Sequence, residues 1–285
     1  MSDGDDGSDG PVAESVDAEA AAADCELVSV AVGEEAGGVA TVTLDRPDAR
    51  NALNAQLRRE LKEVLDAVEA DDDVRVVVLT GSDESSAFVA GADVTELRER
   101  DALEQREASK RPRVYEYVDD LEKPVIARIN GHCLGGGSEL ALGCDVRIAQ
   151  YGGKFGQPEI NLGIMPGGGA TQRLPRLVGE GQAMRLVLSG ELIDAEEADD
   201  IGLVDEVCEA EELDDRVYDL AGKMASKSPV ALEHAKKAVK AASRMELEAG
   251  IEYEAELFAL LFAGEDKNEG IDAFFEDREP EWSGR

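Results

Sequence analysis

The sequence predicts an α/β domain with many parallel strand pairings, followed by a helical C-terminal section. Three observations carry that expectation. Short β-branched runs alternate with stretches of helical periodicity, the pattern of strands joined by helical crossovers. Three glycine-containing loops follow apolar runs. From about Ala195 the strand signals fade and helical spacing of apolar residues takes over. With 285 residues, 43% of them apolar, the chain is long enough for one large domain with a true core.

The elements follow in order. Residues 1–24 are rich in Asp, Glu, Ser, Gly and Ala and hold no Lys or Arg. Such a segment buries too little apolar surface to offset its ordering entropy, so it is expected to be a disordered acidic tail. The core domain is then expected over 25–210. Two strand-like runs, 27–32 and 39–44, flank Glu35-Ala-Gly-Gly38. Leu57, Leu61, Val64, Leu65 and Val68 recur at helical spacing behind Asn54, a plausible N-cap. The β-branched run 74–80 reads as a buried strand. A second round gives a helix through Val114, Val118 and Leu121 and a strand at 125–129. A third gives a helix after the glycines at 135–137 and a strand at 146–149. Residues 94–118 are charged and weakly periodic and carry no assignment beyond the helix that begins near Val114. The helical section, 211–285, is read as helices over 213–226, 230–242, 245–262 and 265–275, with a break at Ser228-Pro229. Its Leu257, Phe258, Leu261, Phe262, Phe274 and Phe275 exceed what a lone helical end exposes. They either pack on the main domain or form a subunit interface.

Charge excludes several classes of function. Asp and Glu number 64 against 29 Lys and Arg, a formal net charge of −35. Such a chain repels nucleic acid and anionic membrane surfaces. It also repels itself, and a salt-rich cytoplasm would screen that repulsion. A halophilic source or an ordinary acidic protein with an acidic tail both fit, and the spread of acids along the whole chain favours the first. No run is long enough to span a bilayer and no signal peptide is visible, so a cytoplasmic location is expected. Cys25, Cys133, Cys144 and Cys208 form no CxxC pair, and His132 and His234 lie far apart. Neither a metal site nor a disulfide is expected.

The candidate chemistry sits in the three loops: Ala87 to Asp93, Asn130 to Leu140, and Phe155 to Ile160 leading to Gly167-Gly-Gly169. Glycines ahead of a helix leave backbone N–H groups bare, and the helix end adds partial positive charge. Together they can hold an anion or a developing oxyanion. No Gly-Lys-Ser/Thr follows Gly135-Gly-Gly137, so this is not a P-loop, and no dinucleotide fingerprint follows a strand. A plain tight turn fits the glycines equally well. Glu139 falls one turn into the helix that Gly136 opens, and Glu159 sits in a mostly apolar loop. There the neutral acid is favoured, as a general acid requires. Without the glycine loops, each would read as a surface charge in an acidic chain. Ser138 lacks a G-x-S-x-G elbow, which argues against a serine hydrolase.

In order along the chain, the motifs are Arg46-Pro-Asp-Ala-Arg-Asn-Ala-Leu-Asn54, Ala87-Phe-Val-Ala-Gly-Ala-Asp93, Lys123-Pro-Val-Ile126 and Asn130-Gly131. Leu134-Gly-Gly-Gly-Ser-Glu139, Phe155-Gly-Gln-Pro-Glu159, Pro166-Gly-Gly-Gly-Ala-Thr-Gln-Arg-Leu174 and Ala198-Asp-Asp-Ile-Gly-Leu-Val-Asp205 continue them. This series resembles the crotonase (enoyl-CoA hydratase/isomerase) superfamily from about Val39 to the C-terminus. The resemblance implies a spiral of repeated β-β-α units, with C-terminal helices that assemble trimers, often paired into hexamers. It implies an oxyanion hole made by the N–H groups of Ala92 and Gly136, around the carbonyl of an acyl-CoA thioester. It places Ala49 and Arg50, with Ala90, Gly91, Asp93 and Gly135, along the coenzyme A moiety, and Phe258 near the adenine. The family's C-terminal Lys, which meets the coenzyme A phosphates, is replaced here within Glu276-Asp277-Arg278, leaving Arg278 as the candidate. Glutamates at both 139 and 159 favour an enoyl-CoA hydratase, which adds water syn across the C2=C3 bond of a trans-2-enoyl-CoA. The alternatives are an enoyl-CoA isomerase or a short-chain 3-hydroxyacyl-CoA dehydratase. More remote is a non-catalytic RNA-binding homologue, for which no basic face is evident. No cofactor is implied, coenzyme A being part of the substrate.

Overall fold

The computed structural model describes residues 16–33 and 37–285. The expected disordered tail falls mostly on residues 1–15, which lie outside the described residues. Its last part corrects the expectation. Asp17 caps a short helix, α1 (Ala18–Ala22), by accepting the N–H of Ala20. Ala18 donates its N–H to Asp71 at 2.9 Å, and Ala18 and Ala22 are buried in the core. Small methyl groups fit flush against a neighbouring helix, and composition alone does not reveal that fit.

The chain continues through β1 (Val28–Gly33), β2 (Val39–Leu44), α2 (Ala55–Ala70), β3 (Val76–Gly81) and β4 (Ala87–Val89). Next come α3 (Val94–Glu99), α4 (Ala102–Ala108), α5 (Val114–Asp120), β5 (Val125–Ile129), β6 (His132–Leu134) and α6 (Gly136–Ala141). Then follow β7 (Val146–Gln150), β8 (Lys154–Gly156), α7 (Ala170–Ser189), β9 (Leu192–Asp194), α8 (Ala195–Asp200) and β10 (Glu206–Cys208). The chain ends in α9 (Leu213–Ala225), α10 (Pro229–Ala241), α11 (Leu247–Leu260) and α12 (Asp266–Glu276). Asn54 is the N-cap of α2, accepting the N–H of Leu57 at 2.8 Å.

Two sheets organise these elements. One runs β1-β2-β3-β5-β7-β10, the other β4-β6-β8-β9. Successive units β3-β4, β5-β6 and β7-β8 each give one strand to each sheet and then return through helix, so the chain advances one position per turn. This is the expected spiral of β-β-α units. In the large sheet β2, β3, β5, β7 and β10 pair in parallel, and β1 adds an antiparallel edge. The strands β4, β6 and β8 occupy stretches that the sequence presents as glycine loops. At three residues each they are too short to show a period.

Apolar side chains fill both faces of the large sheet, as parallel sheets require. One face carries Val42, Leu79 and Ala127 under α2. The other carries Val76, Val78, Ile126 and Ile148, covered by Leu213, Val217, Ala221 and Ala225 of α9. So α9 packs on the main domain, whereas α11 and α12 leave much of their apolar surface bare. Phe258, Phe274 and Phe275 are 61%, 81% and 79% exposed. Among the described residues no helix is long and apolar enough to cross a membrane.

Candidate active site

The loop after β2 is laced to the loop after β4. Asn51, fully buried and at a φ of 57°, donates to Ser85 Oγ at 2.8 Å and to the carbonyls of Ala87 and Phe88 at 3.0 and 3.1 Å. The N–H of Ala90 donates to the Arg50 carbonyl at 3.0 Å. Leu53 then brackets Ala92, its N–H donating to Gly91 at 2.8 Å and its carbonyl accepting from Asp93 at 3.0 Å. Among the described residues the Ala92 N–H has no backbone partner. Asp93 is held by Arg46 at 2.9 Å and caps α3 through the Thr95 N–H. Ala49, Arg50, Ala90 and Gly91 are thereby joined in one turn-to-turn seam.

The loop after β6 meets this seam. Gly135 has φ 50° and ψ −120°, a conformation that L side chains do not adopt without strain. A Cβ there would stand 2.9 Å from Glu159 Oε1, so the bare backbone lets that carboxyl approach. Gly136 opens α6, and its N–H belongs to the first turn, which lacks intrahelical partners. A Cβ on Gly136 would lie 3.3 Å from Ala92 N and 3.1 Å from Tyr115 Oη, so these groups share one small space. At Gly137 a Cβ would run into the carbonyl of Val89, which demands glycine for close packing on β4.

Both glutamates face the same cavity, of about 560 Å³, lined also by Ala92, Asp93, Gly136 and Tyr115. Glu139, 3% exposed in the first turn of α6, accepts the N–H of Gly168 at 2.6 Å and of Ala170 at 3.1 Å through Oε1. Burial pushes its pKa above the ordinary carboxylate value, and those N–H groups and the Arg113 guanidinium oppose that rise only in part. Glu159 lies in a 3₁₀ turn, Pro158–Leu162. Burial, with a smaller push from the Glu139 charge, raises its pKa to about 7. Its Oε2 is buried without a hydrogen-bond partner among the described residues. The two carboxyls therefore sit in unlike settings, one rich in donors and one poor.

Ser138 is engaged elsewhere, accepting from Gln157 Nε2 at 2.9 Å. Phe258 and Arg278 are not part of this cavity wall. Arg278 is paired with Glu269 at 2.6 Å and Glu276 at 2.7 Å. Among the described residues no cluster of three or more His, Cys, Asp or Glu side chains is placed to hold a metal ion. Tyr115 and Arg113 line the cavity without having been singled out in the sequence. The pattern Arg113-x-x-Glu116 ahead of Val118 is a helix-start signal that could have drawn attention to them.

A spiral of β-β-α units with two carboxyls facing one cavity beside backbone donors that have no partner among the described residues defines a fold and site of the crotonase class. Residues 34–285 match the family model described as Enoyl-CoA hydratase/isomerase. The chain is 43% identical over 249 residues to the Short-chain-enoyl-CoA hydratase of Clostridium acetobutylicum, covering 87% of this chain and 95% of that one. It is 44% identical over 241 residues to the Crotonyl-CoA hydratase of Syntrophomonas wolfei, covering 84% and 92%. A solved enoyl-CoA hydratase from Bacillus anthracis superposes with a TM-score of 0.86 at 37% identity, covering 91% of this chain and 100% of that one. The chain belongs to the enoyl-CoA hydratase/isomerase family.

Proposed function

We propose that this chain hydrates trans-2-enoyl-CoA thioesters through the concerted work of Glu139, Glu159 and two backbone donors. It is an enoyl-CoA hydratase, a hydro-lyase acting on an acyl-CoA thioester. The observation that carries the mechanism is the single cavity wall shared by both carboxyls and by Ala92 and Gly136. The thioester oxygen sits between the Ala92 and Gly136 N–H groups. Glu139, ionised, takes a proton from water as its oxygen bonds to C3, and the double-bond electrons pass to the thioester oxygen as an enolate. The two donors stabilise that charge. Glu159, neutral, gives its proton to C2 as the enolate collapses. Proton exchange with solvent or between the pair resets the site. No cofactor enters, coenzyme A arriving as part of the substrate.

Coenzyme A lies along the seam formed by Ala49, Arg50, Ala90, Gly91, Asp93 and Gly135. Phe258 and Arg278, remote from this cavity wall, contact the nucleotide end from the same or a neighbouring subunit. The bare phenylalanines of α11 and α12 support a trimer or a pair of trimers. The charge of −35 supports work in a salt-rich cytoplasm. Steady-state hydration of crotonyl-CoA in molar salt tests the reading. Glu139→Gln and Glu159→Gln are each expected to lower turnover by about 10²–10⁴-fold. Near-normal turnover in both variants would end it.

A further inference from the structure

We propose that Arg113 is a positioning residue for hydration: paired with buried Glu116, it clamps the Gly167 carbonyl and so fixes the glycine loop that holds Glu139. The inference rests on the reading of Glu139 as the base.

The chain of contacts is continuous. Glu116 is 3% exposed and receives Arg113 twice, at 2.6 Å from Nη2 and 3.1 Å from Nε. It also accepts the Arg113 backbone N–H at 2.8 Å and lies 3.2 Å from Arg111 Nε. The remaining arm of Arg113, Nη1, donates to the carbonyl of Gly167. The next residue, Gly168, donates its N–H to Glu139, and Ala170 adds a second N–H. Arg173 Nη1 touches the Gly168 carbonyl at 3.3 Å, a weaker second tie.

A loop of three successive glycines, 167–169, has no side chains with which to hold its own shape. Its carbonyls must be pinned from outside if its N–H groups are to stay aimed. Arg113 does this with a planar fork already fixed by Glu116, so little side-chain freedom is lost in the contact. Lysine has no fork to serve both partners. The groups facing Glu139 are Arg113, Tyr115 and Glu159, with the N–H groups of residues 168–170. Arg58 acts on Tyr115 beside them. Of these only Arg113 favours the ionised base by charge and by geometry together.

The test uses the full chain and crotonyl-CoA. Arg113→Gln leaves Glu116 buried beside Arg111 alone, which threatens folding, so Arg113→Gln/Glu116→Gln is made beside it. Arg113→Lys, which keeps a charge in place, is the variant expected to fold in any case. Each is expected to lose about 10–100-fold in kcat with KM within about threefold. In the glutamine variants the acidic limb of the kcat/KM profile moves to higher pH by about one unit, because Glu139 loses donors and a neighbouring positive charge. The lysine variant recovers part of that shift. A role confined to folding would lower the melting temperature and leave the acidic limb in place. Folded variants with kcat within about threefold of the parent and an unmoved limb overturn the inference. A parent chain that does not hydrate crotonyl-CoA overturns the proposed function instead.

Discussion

Gly136→Ala is the sharpest probe of the backbone donors. The new methyl would stand 3.3 Å from Ala92 N and 3.1 Å from Tyr115 Oη. An oxyanion must approach its donor to about 2.7–3.1 Å, so a carbon in contact with that nitrogen leaves no room for the charged oxygen. At least one donor is lost to the transition state, which corresponds to about 10²–10³ in kcat, or about 2.7–4 kcal/mol. The fold should survive. Gly136 is in the first turn of α6, where alanine suits the helix better than glycine by about 1 kcal/mol. Its nearest new neighbour is the far end of the Tyr115 side chain, which can shift by tenths of an ångström. Gly137→Ala provides the contrast, since its methyl meets the Val89 backbone and cannot be accommodated. Crotonyl-CoA hydration, followed by loss of the conjugated thioester absorbance, and circular dichroism melts are run on both. The expected pattern is a folded, nearly inactive Gly136→Ala and a destabilised Gly137→Ala. A folded Gly136→Ala that keeps more than about a tenth of parental kcat refutes the placement of the oxyanion between Ala92 and Gly136.

Three further outcomes follow from the same geometry. The proposed mechanism needs a proton on Glu159 and none on Glu139, so kcat/KM should fall above about pH 7 as Glu159 ionises and fall again in acid; a rate still climbing at about pH 9 would contradict the assignment. The raised Glu159 pKa adds stability that is fully present below the ordinary value of 4.5 and is lost as pH rises through about 7. Glu159→Gln should therefore melt higher than the parent by about 2–4 °C above that pH and show no such gain near pH 4, taking about 1 kcal/mol after a discount for partial exposure. Phe274→Asp with Phe275→Asp should reduce the sedimentation coefficient to that of a smaller species, because both rings are largely bare on a single chain; an unchanged coefficient means that another surface builds the assembly.

Much of the fold was legible because its strands and helices are long enough to carry a period. The runs at 39–44 and 125–129 coincide with β2 and β5, and Asn54 caps α2 as its position suggests. The cavity that forms the candidate site was legible where glycine pattern and glutamate spacing stay close in sequence, as in Gly135 to Glu139. What escaped was either short or distant. The strands β4, β6 and β8 hold three residues each, and α1 packs through alanine methyls. Arg113 meets Gly167 across 54 positions, and the charged stretch that carries it gives no periodic signal.

The fold also gives the two glutamates the unlike settings that the proposed opposite roles require. Glu139 is on α6, whose start is fixed by Gly135, and it faces a second glycine loop from which N–H groups converge on one oxygen. Donors so placed oppose the burial that raises its pKa. Glu159 rises from a 3₁₀ turn against the bare backbone of Gly135, with one oxygen enclosed and unpartnered among the described residues. Ionisation there is offset by its own backbone N–H alone among the causes that shift it, and the Glu139 charge adds to the cost. In the proposed mechanism the two carboxyls share one proton, held on Glu159. The reverse reaction needs that proton moved to Glu139, but the pair still carries one proton in total. Hydration and dehydration therefore draw on the same pH window, and the direction of flux is set by the concentrations of the two thioesters and not by the protonation of the site.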